Sequence, residues 1–210
     1  MLHAIAVAEP TLALLRKIQQ IPLFGDFRLV GGTALALQLG HRVSVDLDFF
    51  GKFETKFEEI ENELLEIGCT IDPYNKSKNI KQLAVDGIKV DFVNYRYEWI
   101  DIVIEEDEIK MAGLKDIAAM KLSAITGRGT KKDFVDVYFL LQHFTLQEML
   151  NLYAKKYMNA SLFPVMLSLS YFTDAEAMPM PEMLIPVEWD NIKTTIRKAI
   201  EDFDKENNNN

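Results

Sequence analysis

The chain has little cysteine, no long hydrophobic run and no excess of positive charge. Its one cysteine, Cys69, excludes an internal disulfide and cannot build a thiolate metal site by itself, which fits a reducing cytoplasm. No apolar run approaches the roughly 20 residues that span a bilayer, and the N-terminus lacks the basic start and long apolar stretch of a secretory signal. The expectation is therefore a cytoplasmic protein with no membrane partner. With 23 Lys and Arg against 32 Asp and Glu, the formal net charge is -9. That balance argues against a broad surface coating nucleic acid, because such binding rests on neutralising phosphates with basic side chains. A small local basic patch remains compatible with it.

What is present is an ordinary globular balance, 49% hydrophobic and 26% charged over 210 residues. This length buries one good core, or a compact core with a helical annex. Helical spacing is expected over Thr11–Ile21, before the breaks at Pro22 and Gly25. A short strand over Phe27–Val30 should run through Gly31-Gly32-Thr33 into a helix closed by Gly40. In VSVDLDFF, alternation places Val43, Val45, Leu47 and Phe49 on one face and Ser44, Asp46 and Asp48 on the other. An amphipathic helix is expected from Phe53 to Ile67, ended by Gly68. Asp86-Gly87 then sits between two β-like runs as a tight hairpin turn, with Asp91 on the second arm.

From Leu114 onward the pattern is helical: Leu114–Thr126, Lys132–His143, Leu146–Lys156, Leu162–Leu169 and Trp189–Phe203. The charged stretch within Ile100–Ile109 reads as a boundary. We therefore expect an α+β (α/β) protein. A first lobe over 1–105 would carry a mixed β-sheet flanked by helices. A C-terminal helical bundle over 106–205 would complete an active-site cleft, and 206–210 would be a polar tail.

Two aspartates two apart on a strand project from the same face, and magnesium takes one or two carboxylates with the rest of its shell from water and phosphates. An isolated Asp-x-Asp is as often the polar face of a half-exposed strand. The turn before it alters the balance. Glycines let phosphate oxygens approach backbone N–H groups at a helix start, and Thr33 adds a hydroxyl, although a Gly-Gly pair alone more often only makes a turn. Asp91, with Lys89 and Val93 on its side of the strand, is a candidate third carboxylate and proton acceptor in a two-metal phosphoryl transfer.

These residues carry a family resemblance. GGTALALQLGHRVSVDLDFF resembles the first motif of the AbiEii/AbiGii-type nucleotidyltransferase toxins, a branch of the polymerase-β-like nucleotidyltransferase superfamily. Lys89-Val90-Asp91 is similar to the second motif, Lys121 to Arg128 to the third, and Asp133-Phe134-Val135-Asp136 to the fourth. The likeness runs from about Arg28 to about Leu141. It implies a nucleotidyltransferase-fold lobe with a helical C-terminal part, magnesium dependence and nucleotide transfer to an acceptor. It also implies relatives that modify tRNA ends and are partnered by an antitoxin. Gly-Gly-Thr stands where many superfamily members have Gly-Ser, and a hydroxyl is kept either way.

On its helix, Lys121 comes one step past a stripe of Ile117, Met120, Ala124 and Ile125, and its ordinary reading is an exposed lysine. In the motif it would reach the triphosphate as a point charge. Arg128 would serve phosphates similarly or favour a helix C-terminus. Asp133 either favours a helix N-terminus or acts in the site. Asp136 lies among apolar neighbours and needs a partner, Lys121 or a substrate group. Arg42 either touches phosphate or orders its loop. Lys76, Lys78 and Lys81 read as solvated charge. Arg128, Lys131 and Lys132 form the candidate landing patch for an RNA acceptor.

The reading is an enzyme. NTP would bind through Gly31, Gly32, Thr33, Arg42, Lys89, Lys121, Arg128 and Asp133. Asp46, Asp48 and Asp91 would hold Mg2+, with Lys121 and Asp136 completing the catalytic set, and an acceptor hydroxyl (RNA or tRNA among the options) would take the nucleotide. Two alternatives stay open at this point: kinase-like transfer of the terminal phosphate, and an NTP-binding partner protein without transferase activity.

Overall fold

A computed structural model describes residues 1–52, 57–77, 79–158 and 160–208. The chain divides into two compact units, one of Met1–Tyr97 with Ile102–Gly113, the other of Glu98–Asp101 with Leu114–Asn210.

The first unit opens with α1 (Glu9–Gln19), started by Pro10 in its first turn and burying Leu12, Leu14, Leu15 and Ile18. Then come β1 (Arg28–Leu29), α2 (Gly31–Leu39), β2 (Leu47–Gly51), α3 (Phe57–Glu66), β3 (Ile71–Lys76), β4 (Ile80–Val85), β5 (Ile88–Asn94), β6 (Ile104–Glu106) and β7 (Ile109–Met111). The described strands form one seven-stranded mixed sheet in the order β3-β4-β5-β2-β1-β7-β6. β2 lies between β5, which runs parallel to it, and β1, which runs antiparallel. Gly40 closes α2 in the left-handed conformation, as its place in the sequence implies. Asp86 and Gly87 both adopt positive φ between β4 and β5, the geometry of a two-residue hairpin turn.

Three sequence expectations need correction. The alternation over VSVDLDFF holds only from Leu47: Ser44 is buried, Val45 is exposed, and Asp46 precedes β2 rather than lying on it. Ser44 turns inward because its N–H donates to the Ala6 carbonyl at 2.9 Å, in a parallel bridge of Val7 with Ser44. The charged stretch read as a boundary is a second hairpin, β6 and β7, turning at Asp107 and Glu108 and joined through β7 to β1. Backbone pairing to an existing sheet edge outweighs the poor apolar content of those few residues. Finally, residues 206–208 continue the last helix instead of fraying from it. Of the remaining sequence readings, the helix start at Phe53, Lys78, and Asn209 with Asn210 lie outside the described residues.

The core under the sheet is aromatic. Phe92 of β5 stacks on Phe49 of β2 at 5.4 Å and on Phe24 at 4.7 Å, and Phe27 meets both Phe24 and Phe92 edge-on. Rings of this size bury large apolar areas and add a geometric preference, so they fix the β2–β5 register mechanically. That register aligns Asp48 with Asp91.

The second unit is helical: α4 (Leu114–Gly127), α5 (Lys131–Leu140), α6 (Leu146–Lys156), α7 (Phe163–Ser170), α8 (Thr173–Glu176) and α9 (Trp189–Asn208). Thr130 with Asp133, and Thr145 with Glu148, form capping boxes that start α5 and α6. An internal ion pair ties the linking residues 98–101 to the bundle. Lys156 Nζ lies 2.6 Å from Asp116 Oδ1, both side chains fully buried, and the Asp116 carboxylate also accepts the N–H groups of Ile100 and Asp101 at 2.9 Å each. No helix among the described residues is long and apolar enough to cross a membrane.

Candidate active site

Three elements of the first unit set the acidic group. β2 carries Asp48, β5 carries Asp91 directly across from it, and the segment entering β2 carries Asp46. That segment is pinned from inside. Thr33, buried in α2, donates its hydroxyl to the Asp46 carbonyl and lies 2.9 Å from Ser44 Oγ. Thr33 is thus committed to shaping the loop that presents Asp46, and not to a phosphate as its sequence position suggested.

Gly31 and Gly32 are the first residues of α2 itself, not a turn ahead of it. Gly31 has φ +70°, and a Cβ there would fall 2.5 Å from Asp48 Oδ2. A Cβ on Gly32 would strike Arg42 Nη2. The glycines therefore leave room for a carboxylate and a guanidinium against the helix start, where backbone N–H groups point outward. Arg42 is buried, with Nη1 donating to the Val43 carbonyl at 3.0 Å.

Asp91 is nearly buried and its two oxygens differ. Oδ2 accepts from Gln82 Nε2 at 3.1 Å and lies 3.1 Å from Lys89 Nζ, whereas Oδ1, also buried, has no hydrogen-bond partner. Burial by itself would lower Lys89, but the hydrogen bond to Asp91 and the charges of Asp91, Asp46 and Asp48 outweigh it and hold the ammonium above the ordinary lysine value. Lys89 thus stands in the field of all three acids. Among the described residues, no group of three or more His, Cys, Asp or Glu side chains is arranged to hold a metal ion. Asp48 and Asp91 stand in register on neighbouring strands with Asp46 just before β2, so the donor set is of the hard-oxygen type that suits a cation, with an oxygen of Asp91 unused and an ammonium present. They do not form a finished three-ligand cage.

In the second unit the residues singled out by sequence also gather, around a buried lysine. Lys121 Nζ lies 2.5 Å from Asp136 Oδ2 and 3.3 Å from Asp133 Oδ1. Both carboxylates are fully buried and Lys121 is nearly so, which corrects the expectation of an exposed lysine beside a Met120 stripe: Met120 is the more exposed of the two. Asp133 also receives Arg128 Nε at 2.8 Å, Arg128 Nη2 at 2.9 Å and the Thr130 hydroxyl at 2.6 Å. Desolvation pushes the Asp133 carboxyl up, but Arg128, Lys121 and Thr130 overcome it and hold it well below the usual carboxylate range. Of the basic patch, Lys131 is buried, donating to the Glu176 carbonyl at 3.0 Å and lying 4.9 Å from the Trp189 ring, so it is not a surface group. Arg128 remains more than half exposed.

A family model described as "Nucleotidyl transferase AbiEii toxin, Type IV TA system" matches residues 13–206. The chain belongs to the AbiEii family. It is a nucleotidyltransferase by that membership. The chain is 34% identical over 199 residues to the uncharacterized protein aq_aa25 of Aquifex aeolicus (strain VF5), covering 90% of this chain and 93% of that one. Its fold is similar to JHP933 of Helicobacter pylori, at TM-score 0.54 and 16% identity over 97% of each chain. It is likewise similar to MenT4, a nucleotidyltransferase toxin of Mycobacterium tuberculosis H37Rv, at TM-score 0.56 and 18% identity, covering 89% of this chain and 79% of that one.

For an AbiEii protein the sequence reading missed Gln82, Ser44 and the Lys156–Asp116 pair. Gln82 was within reach. Counting back from the Asp86-Gly87 turn pairs Val85 with Ile88 and so Gln82 with Asp91. Ser44 was hidden by the false alternation, and Lys156 by the general expectation that lysines on a helix face water.

Proposed function

We propose that this AbiEii nucleotidyltransferase uses Mg2+ held by Asp46, Asp48 and Asp91 to move a nucleotide from an NTP to an acceptor hydroxyl, with RNA or a tRNA end as the acceptor. The observation that carries this is the β2–β5 register, which sets Asp48 opposite Asp91 beside the side-chain-free start of α2. Residues that fit the cation are those described above: hard carboxylate oxygens, one of them buried without a hydrogen bond. When bound, the metal supplies charge neutralisation on the phosphates and lowers the pKa of a coordinated hydroxyl.

This chain's own residues supply the rest. The N–H groups at the start of α2 offer donors to phosphate oxygens, while the buried Arg42 guanidinium, packed against Gly32 and donating to the Val43 carbonyl, orders the loop beside them. Asp91 accepts the proton of the acceptor hydroxyl. The hydroxyl oxygen then bonds to the α-phosphorus while the bond from that phosphorus to the bridging oxygen breaks, and pyrophosphate leaves. Lys121, Asp133 and Asp136 serve by holding α4 to α5. Through Asp133 they orient Arg128, the half-exposed cation of that cluster, for an anionic substrate group. The family description, a toxin of a Type IV TA system, supports a toxin role with a cognate antitoxin, and the single cysteine fits action in the cytoplasm.

The test is incubation of the protein with Mg2+, total RNA and NTPs labelled at either the α- or the γ-phosphate. Transfer of α-label to RNA that disappears in Asp48→Ala supports the proposal. Transfer of γ-label alone would make it a kinase-like enzyme, and no RNA labelling with any NTP would remove RNA as the acceptor.

A further inference from the structure

Resting on that reading of the acidic site, we propose that Lys89 is a built-in competitor for the divalent cation: its ammonium occupies Asp91 in the resting protein and yields it only when a metal–triphosphate complex arrives. The evidence lies in which oxygen is used. Lys89 Nζ and Gln82 Nε2 both sit 3.1 Å from the same Oδ2, so Asp91 is held as half of an ion pair with its Oδ1 left without a hydrogen bond. The two side chains are unequally placed, Lys89 at 42% exposure and Asp91 at 12%. The acid is fixed in the strand, while the long, flexible lysine reaches it from the solvent side and can leave.

An ammonium and a divalent cation compete for the same carboxylate oxygens. Metal alone must displace Lys89 into water with nothing to receive its charge. A triphosphate brings its own anionic oxygens, to which a lysine is well matched as a point charge. The consequence is order: metal and nucleotide bind together far better than either alone, because each removes the other's cost. Alternation along β5 places Lys89 and Asp91 on one side of the strand, so the competitor is built into the same three residues that carry the acid.

The experiment measures Mn2+ binding to the full chain by titration calorimetry and by the electron paramagnetic resonance signal of free Mn2+, with and without an α,β-methylene NTP analogue. Wild type should bind Mn2+ weakly alone and far more tightly with the analogue. Lys89→Met should bind Mn2+ alone about five- to tenfold more tightly, the strength of a half-exposed unit charge a few ångström away, and its enhancement by the analogue should shrink by a similar factor. Lys89→Gln, which keeps a donor without the charge, should follow Lys89→Met if the latter folds poorly, and Lys89→Arg should stay with wild type. Unchanged or weaker Mn2+ binding in both uncharged variants would overturn the proposal. The underlying site fails differently: Mn2+ binding that is indifferent to Asp48→Asn and Asp91→Asn in every background would show that the acids hold no cation.

Discussion

Replacing Lys121 by methionine keeps the length of the side chain and removes an ammonium shared by two fully buried carboxylates. Asp133 would retain Arg128 and Thr130, so most of the loss falls on Asp136, whose Oδ2 lies 2.5 Å from Nζ. Removing one partner of a buried ion pair typically costs about 3–5 kcal/mol, because the other charge stays buried with its ion-pair partner gone. At about 2–4 °C per kcal/mol for a chain of this size, the melting temperature should fall by about 6–20 °C. Circular dichroism melting without nucleotide is the assay. The double variant Lys121→Met/Asp136→Leu, which also removes that buried carboxylate, should recover more than half of the loss. A fall below about 3 °C, or a double variant no more stable than the single one, would refute the clamp. If melting is untouched while nucleotide transfer is lost, Lys121 acts on substrate directly, as the third motif of the family implies.

Gly31→Ala places a Cβ 2.5 Å from Asp48 Oδ2 at φ +70°; it should cost about 1–2 kcal/mol in stability from the backbone alone and lower the transfer rate by about a hundredfold by displacing Asp48, as melting and initial rates will show. Thr33→Val, nearly the same shape, deprives the Asp46 carbonyl of its buried donor and should lose about 1–3 kcal/mol in urea unfolding. Its Mn2+ affinity should fall too, because the segment bearing Asp46 loosens. For pH, the Asp133 carboxyl lies below its unfolded value, so its contribution to stability is complete above the ordinary carboxylate range and is lost only as pH falls through the lower folded value. Arg128→Gln removes a main cause of that depression, so urea unfolding should show the variant less stable than wild type near neutral pH, with a smaller loss on acidification that is complete at a higher pH.

The parts of the fold that were legible in the sequence are those where local signals agree with tertiary demand. Gly40, the Asp86-Gly87 turn and the helix over Leu146–Lys156 each combine a backbone requirement with a matching hydrophobic pattern. The β6–β7 hairpin was illegible because it is short, charged and turned by Asp107-Glu108 without glycine; only the waiting edge of β1 makes it a pair of strands. Val45 misled for the opposite reason. It continues a perfect alternation into a segment whose backbone is instead claimed by Ala6 and by the Thr33 hydroxyl, so a strand-like pattern meets a non-strand conformation.

At the site, residue types were readable but their partners were not. Aspartates at 46, 48 and 91 and a lysine at 89 announce themselves by spacing, yet spacing does not say whether the lysine faces solvent, a phosphate or the acid beside it. Electrostatics decides that. The charges of Asp91, Asp46 and Asp48 all favour the Lys89 ammonium, and its hydrogen bond goes to Asp91. Lys89, on the same side of β5, is a means of offsetting those charges without a metal. The same reasoning separates the two lysines that the motifs treat alike. Lys121 is buried against acids that have no route to water, so its pairing is structural in energy whatever it does in catalysis. Lys89 is half-exposed, so its ion pair can be exchanged once phosphates take over its charge, as the competition we propose at Asp91 requires.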